Sequence, residues 1–276
     1  MEILKPNARP YIEGVVADIN HCGDTFRELV DIWKELGLCE VENSPDSFCW
    51  VGTHGDVILY DFPRLDDRPI PHFRKGLFGN TVPDHPNCHA WIFWARSPRL
   101  LMEARKTPLL TYKEREIESI FLGKIENSVQ DGNRRNRDWG SAGIELFHCP
   151  VDKPGPNHYP FTREEYLEKL RHSKFGLALS GYGPKCNREI ELLGMGVVPL
   201  FAPEVDNKYH EPMIEGVHFL RVNDPSEVKK VIDSVSENQW KEMNEAGQDW
   251  YQRNASPEGS FMITEKIVKG ILNAEC

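Results

Sequence analysis

Long apolar runs are missing from this sequence. No stretch approaches the ~20 consecutive apolar residues that span a bilayer, and the opening MEILKPNARPYIEG holds no run long enough for a signal peptide. No membrane anchor is expected, and a cytoplasmic setting is. Positive charge is also scarce: 33 Lys and Arg face 43 Asp and Glu, a net charge of -10, which disfavours long-range attraction to nucleic acid or anionic membrane. The seven cysteines are odd in number and include no Cys-x-x-Cys pair, a usage that suits reduced thiols better than a disulfide framework. No Gly-x-Gly-x-x-Gly follows any expected strand, which argues against an NAD-dependent oxidoreductase.

What is present is a folded chain. With 276 residues, 39% hydrophobic and 10% aromatic, it has material for one large domain or two average ones. The patterns YIEGVVADI, SFCWV, DVILYDF, HAWIFWA, SIFLGKI, GIELFH, KFGLAL, VVPLF and HFLRV read as strands. TFRELVDIWKELG, TREEYLEKLRHS, DPSEVKKVIDSV and GSFMITEKIVKGIL read as helices. Strands alternating with helices at this interval predict an α/β fold with parallel sheets. A composition shift near RKTPLLTYKERE suggests an N-terminal domain over 1–110 and a second over 111–260, with 261–276 a helix docking on the body.

One stretch carries more chemistry than the rest: KFGLALSGYGPKCNREIELLGMGVVPLF. An expected strand ends at Leu179, glycines at 181 and 183 permit a tight turn, and Pro184 or Asn187 can start a helix. That helix start faces the C-terminal edge of a parallel sheet, where free N–H groups and the helix dipole favour an anion. Lys185 and Arg188 add charge, and Glu191 follows Arg188 by three residues on nearly the same helical face. Arginine facing a phosphate and carboxylate accepting from paired hydroxyls would describe a nucleotide. A solvated Arg188–Glu191 salt bridge on an ordinary helix is the alternative that spacing alone leaves open.

The same stretch resembles the donor-site signature of exostosin-like glycosyltransferases: SKF, a GYG-type loop, an arginine, a glutamate three residues on, and G-V-P entering a strand. The similarity extends to FLGKI with the arginines after it and, more faintly, to WYQRNASPEGSF, covering roughly the second half of the chain. The resemblance implies a GT-B-like architecture, two Rossmann-like domains with parallel sheets facing a central cleft. It also implies a sugar transferred from a nucleotide donor, a UDP-sugar foremost, to an oligosaccharide or glycoprotein acceptor. By motif, Glu191 would bind the ribose hydroxyls, and Arg188 with the loop Gly181, Tyr182 and Gly183 would face the diphosphate. Lys124 and Arg134 or Arg135 would add charge at the leaving group. The chain is most similar to compact versions found in bacteria and large algal DNA viruses, which makes xylose the sugar we expect.

Inverting transfer needs a base for the acceptor hydroxyl and a cationic or metal site for the departing diphosphate. No Asp-x-Asp occurs, so no obligatory metal or other cofactor is expected. Base candidates, in order, are His21, Asp56, His54 and Asp18, each at the end of an expected strand and each equally a turn former or helix cap. DHPNCH has zinc-like residue types, but Pro86 and the incomplete ligand set favour a plain loop. NRRNRDW, in an acidic chain without an RNA-binding motif, does not indicate a nucleic-acid partner. Tyr182 and Trp139 are candidates to stack on a base or sugar, or to be core. A non-catalytic nucleotide- or carbohydrate-binding scaffold of the same fold is the competing expectation.

Overall fold

The computed structural model describes residues 22–38, 49–52, 75–79, 82, 88–123, 137–148, 161–181 and 183–273. In chain order the regular elements are α1 (Cys22–Glu35), β1 (Cys49–Gly52), β2 (Lys75–Phe78), β3 (Cys88–Ala90), α2 (Pro98–Ala104) and β4 (Ile117–Leu122). There follow β5 (Leu146–His148), α3 (Arg163–Arg171), β6 (Ser173–Ala178), α4 (Asn187–Gly194), β7 (Val198–Phe201), β8 (Leu220–Arg221), α5 (Val228–Asp233), α6 (Glu237–Asn254) and α7 (Pro257–Asn273). Every strand pairing among them is parallel, so the chain is α/β as the alternation predicts. It divides into two compact units, one of Met1–Arg99, Lys208–Pro212 and Gln252–Cys276, the other of Leu100–Asn207 and Met213–Tyr251.

In the first unit a three-stranded sheet runs in the order β1-β2-β3. Its strand β2 falls in KGLF, four residues with no alternating pattern. The strand expected over HAWIFWA is realised only as far as Ala90; Trp91 to Ala95 are buried without joining it. Leu29, Ile32 and Trp33 form the buried stripe of α1. Helix α7 covers that stripe: the Trp33 indole N–H donates to the Pro257 carbonyl at 2.8 Å, and Phe261 meets the Trp33 ring edge-on. The Trp91 indole reaches Thr264 Oγ1 at 2.6 Å, so two buried tryptophans are anchored to this one helix.

The second unit is built on a five-stranded sheet in the order β5-β4-β6-β7-β8. Ile120, Phe121, Leu122, Phe175, Leu177, Leu200 and Phe201 fill its interior, and α3 and α4 link successive parallel strands. Helix α3 starts on a reciprocal cap: Thr162 Oγ1 accepts from the Glu165 N–H, and the Glu165 carboxylate accepts from the Thr162 N–H. Helix α4 ends on Gly196, whose φ of 66° places it in the left-handed region, with Gly196 N–H bonded to Leu193 O and Val197 N–H to Leu192 O. Gly176 of β6 lets that helix settle on the sheet, because a Cβ there would lie 2.2 Å from Leu192 Cδ2. Gly176→Ala is therefore expected to destabilise the protein by about 1–3 kcal/mol through overpacking, read as a lower urea midpoint at unchanged slope.

The N-terminal edge of this sheet is held by arginines acting on helix ends. Arg105 donates to the Gly194 carbonyl, and Arg171 to the carbonyls of Ala104, Thr107 and Pro108. The Gly194 and Ala104 carbonyls are ones that a helix terminus leaves without intrahelical partners, and Thr107 and Pro108 lie just beyond α2. Helices α2 and α6 are absent from the sequence expectations.

Candidate functional site

Numbered within its own sheet, the second unit's strand order is 2-1-3-4-5: β4 is first and lies between β5, the second, and β6, the third. From β4 the chain goes to one side, and from β6 it proceeds to the other. Open α/β sheets bind ligands outside the carboxyl ends of their strands at such a reversal. Here the reversal lies between Leu122 and Ala178, the last residues of β4 and β6.

Helix α4 opens at this position. Its N-cap is Cys186 in extended conformation, so the helix begins at Asn187, one of the two expected starts. Glu189, fully buried, accepts the Cys186 N–H and completes the first turn from beneath. Gly181 has no left-handed φ; its value is room, since a Cβ there would stand 3.2 Å from the Lys185 carbonyl and 3.3 Å from Cys186 Sγ.

Arg188 reaches across the reversal. Its Nη2 donates to the Leu122 carbonyl at 2.9 Å, and its guanidinium lies 4.5 Å from the centre of the Phe121 ring. Gly123 makes this approach possible, because a Cβ at that residue would be 2.1 Å from Arg188 Nη2. A cation is thus fixed at the carboxyl end of the first strand, half-buried, by a carbonyl and an aromatic face.

Glu191 stands one turn further along α4 and is 8% exposed. Its Oε2 accepts from the Tyr166 hydroxyl at 3.0 Å, a contact between α3 and α4 across 25 residues of sequence. Burial, and next the Glu191 charge, push the Tyr166 hydroxyl well above the ordinary tyrosine range, so it remains a neutral donor. Tyr166 is the residue that sequence reasoning missed. Its helix was legible, but no spacing pattern within a helix reveals a partner on another.

Lys185 turns inward instead of outward: its side chain is fully buried, with Nζ 3.3 Å from Asp206 Oδ1. Trp139 is 1% exposed and belongs to the core, so it offers no stacking face. Arg137, last of the three arginines in NRRNRDW, pairs with Glu204. The candidates Asp18, His21, His54, Asp56, Lys124, Arg134, Arg135 and Tyr182 lie outside the described residues, as do Asp84 and His85 of DHPNCH. Of the sequence candidates that are described, Gly181, Gly183, Lys185, Arg188 and Glu191 all come from the segment between β6 and the middle of α4.

Among the described residues no three His, Cys, Asp or Glu side chains gather as a metal-holding group, and no helix is long and apolar enough to cross a membrane. The chain matches no protein-family model and no curated protein. What the geometry offers chemically is a fixed cation and an oriented carboxylate beside a helix N-terminus, at the edge where α/β sheets take anionic ligands.

Proposed function

We propose that the chain is a glycosyltransferase that takes a nucleotide sugar, foremost a UDP-sugar, at this edge and moves the sugar to an oligosaccharide or glycoprotein hydroxyl. The observation carrying the reading is the joint placement of Arg188 and Glu191 at the strand-order reversal. One is fixed on Phe121 and Leu122, the other on Tyr166. A diphosphate meets the arginine and the helix start, and a ribose meets the carboxylate. The two-domain GT-B arrangement, inversion at the anomeric carbon, independence from metal and xylose as the sugar all belong to the proposal.

In the proposed reaction a base removes the acceptor hydroxyl proton, the oxygen forms a bond to the anomeric carbon, and the bond from that carbon to the diphosphate breaks. The electron pair leaves on the diphosphate, where Arg188 and the α4 N-terminus stabilise the growing charge.

A thermal-shift screen of UDP- and GDP-sugars tests the donor site. A ligand at 100 times its dissociation constant raises stability by about 2.7 kcal/mol, and Glu191→Ala is expected to erase that shift. If no nucleotide sugar stabilises the protein, or the shift survives in Glu191→Ala, the reading fails. Release of free nucleoside diphosphate with donor and acceptor together distinguishes an enzyme from a non-catalytic scaffold.

A further inference from the structure

We infer that Tyr166 is a positioning residue which, through Glu191, makes the crevice select ribonucleotides over their 2′-deoxy counterparts. The inference rests on the donor-site reading above and deepens it by naming what sets the ligand class.

Tyr166 is the fourth residue of α3 and Glu191 the fifth of α4. The two helices are successive links in the sheet, leading into and out of β6, and both begin on the side of its carboxyl edge. The Tyr166 hydroxyl meets Glu191 Oε2 at 3.0 Å. The terminal torsion of a glutamate is broad, so a donor at a set position narrows it. Approached at 3.0 Å by a half-buried tyrosine whose hydroxyl stays neutral, Oε2 of this carboxylate has a fixed donor before any ligand arrives.

Rigidity is what converts a missing hydroxyl into discrimination. An acceptor that can rotate finds water or another donor when the ligand lacks one O–H, so the loss is small. A fixed acceptor is left unsatisfied and the loss is large. Removing the Tyr166 oxygen should therefore weaken ribonucleotide binding and, more tellingly, reduce the preference for ribose.

The experiment is isothermal titration of the full chain and its Tyr166→Phe variant. The probes are whichever of UDP and GDP stabilises the wild type more, the 2′-deoxy form of that nucleotide, and inorganic pyrophosphate. The wild type is expected to favour the ribonucleotide by about tenfold or more. In Tyr166→Phe, which keeps the ring, ribonucleotide affinity falls about tenfold, the ribo-to-deoxy ratio moves toward one and pyrophosphate binding is unchanged. An unchanged ratio in the variant overturns the inference, as does a parallel loss of pyrophosphate affinity, which marks a general structural role. A wild type that binds both nucleotides equally also overturns it and leaves the donor site standing. A wild type that binds neither removes both.

Discussion

Arg188→Ala is expected to lower affinity for the best nucleotide sugar roughly a hundredfold while leaving the protein folded. The two halves of that expectation have separate causes. Among the contacts that removing the side chain deletes are its hydrogen bond to Leu122 O and its cation–aromatic contact with Phe121, at a half-buried position. Such losses cost on the order of 1 kcal/mol each or less in stability. For a bound diphosphate the guanidinium is the fixed charge at the strand edge, already oriented by those contacts, so little ordering remains to be done on binding. Arg188→Lys should not restore affinity, because an ammonium lacks the planar fork and cannot lie on Phe121 in the same way. Gly123→Ala gives a milder loss in the same direction: its Cβ would stand 2.1 Å from Nη2 and must displace the guanidinium. Titration calorimetry on the three variants decides the matter, and Arg188→Ala binding with wild-type affinity would refute the role.

Local pattern found much of the second unit; in the first, the expected strands YIEGVVADI and DVILYDF lie outside the described residues. Strands β4, β6 and β7 contain dense apolar runs, and α3 opens with Thr162 and Glu165 at capping-box spacing, so periodicity and caps suffice to find them. Helix α6 is missing from the sequence reading although its buried residues Trp240, Met243, Gly247, Trp250, Tyr251 and Asn254 recur at helical spacing; only four of them are large apolar side chains, and the rest of the segment is largely polar. Strand β2 is four residues long and acquires its identity from pairing on both sides, Val51 opposite Leu77 and Leu77 opposite His89, which no window of sequence contains. The same distinction separates the parts of the site. Arg188 and Glu191 were legible as a pair three residues apart on one helix, whereas the inward turn of Lys185 toward Asp206 and the support of Glu191 by Tyr166 are tertiary facts. Strand order is of that kind too: alternation predicts a parallel sheet, but only the pairing of β4 with both β5 and β6 places the reversal beside α4.

The largest effect on stability is expected at the opposite edge of that sheet, where Arg115→Ala should cost about 3–5 kcal/mol. Arg115 is 1% exposed and donates to the carbonyls of Leu110, Ser173 and Met195, with Leu170 O at 3.4 Å and the Trp240 ring 5.2 Å away. It thus gathers the approach to β4, the end of α3, the start of β6 and the end of α4. Burial, and next the neighbouring Arg171 charge, pull its guanidinium down to about 10, which still leaves it charged at neutral pH. Alanine would leave those carbonyls buried without this donor and open a cavity beside Trp240, two penalties that add. Arg115→Met separates them, since it restores most of the volume and none of the hydrogen bonds. Urea denaturation of the methionine variant should recover only the smaller, cavity part of the loss. Nucleotide affinity measured on the folded fraction should not change in either variant, because Arg115 acts at the amino ends of strands whose carboxyl ends hold Arg188 and Glu191. A variant that stayed fully stable would show that the carbonyls find other donors; one that stayed stable but lost affinity would place the binding site at the wrong edge.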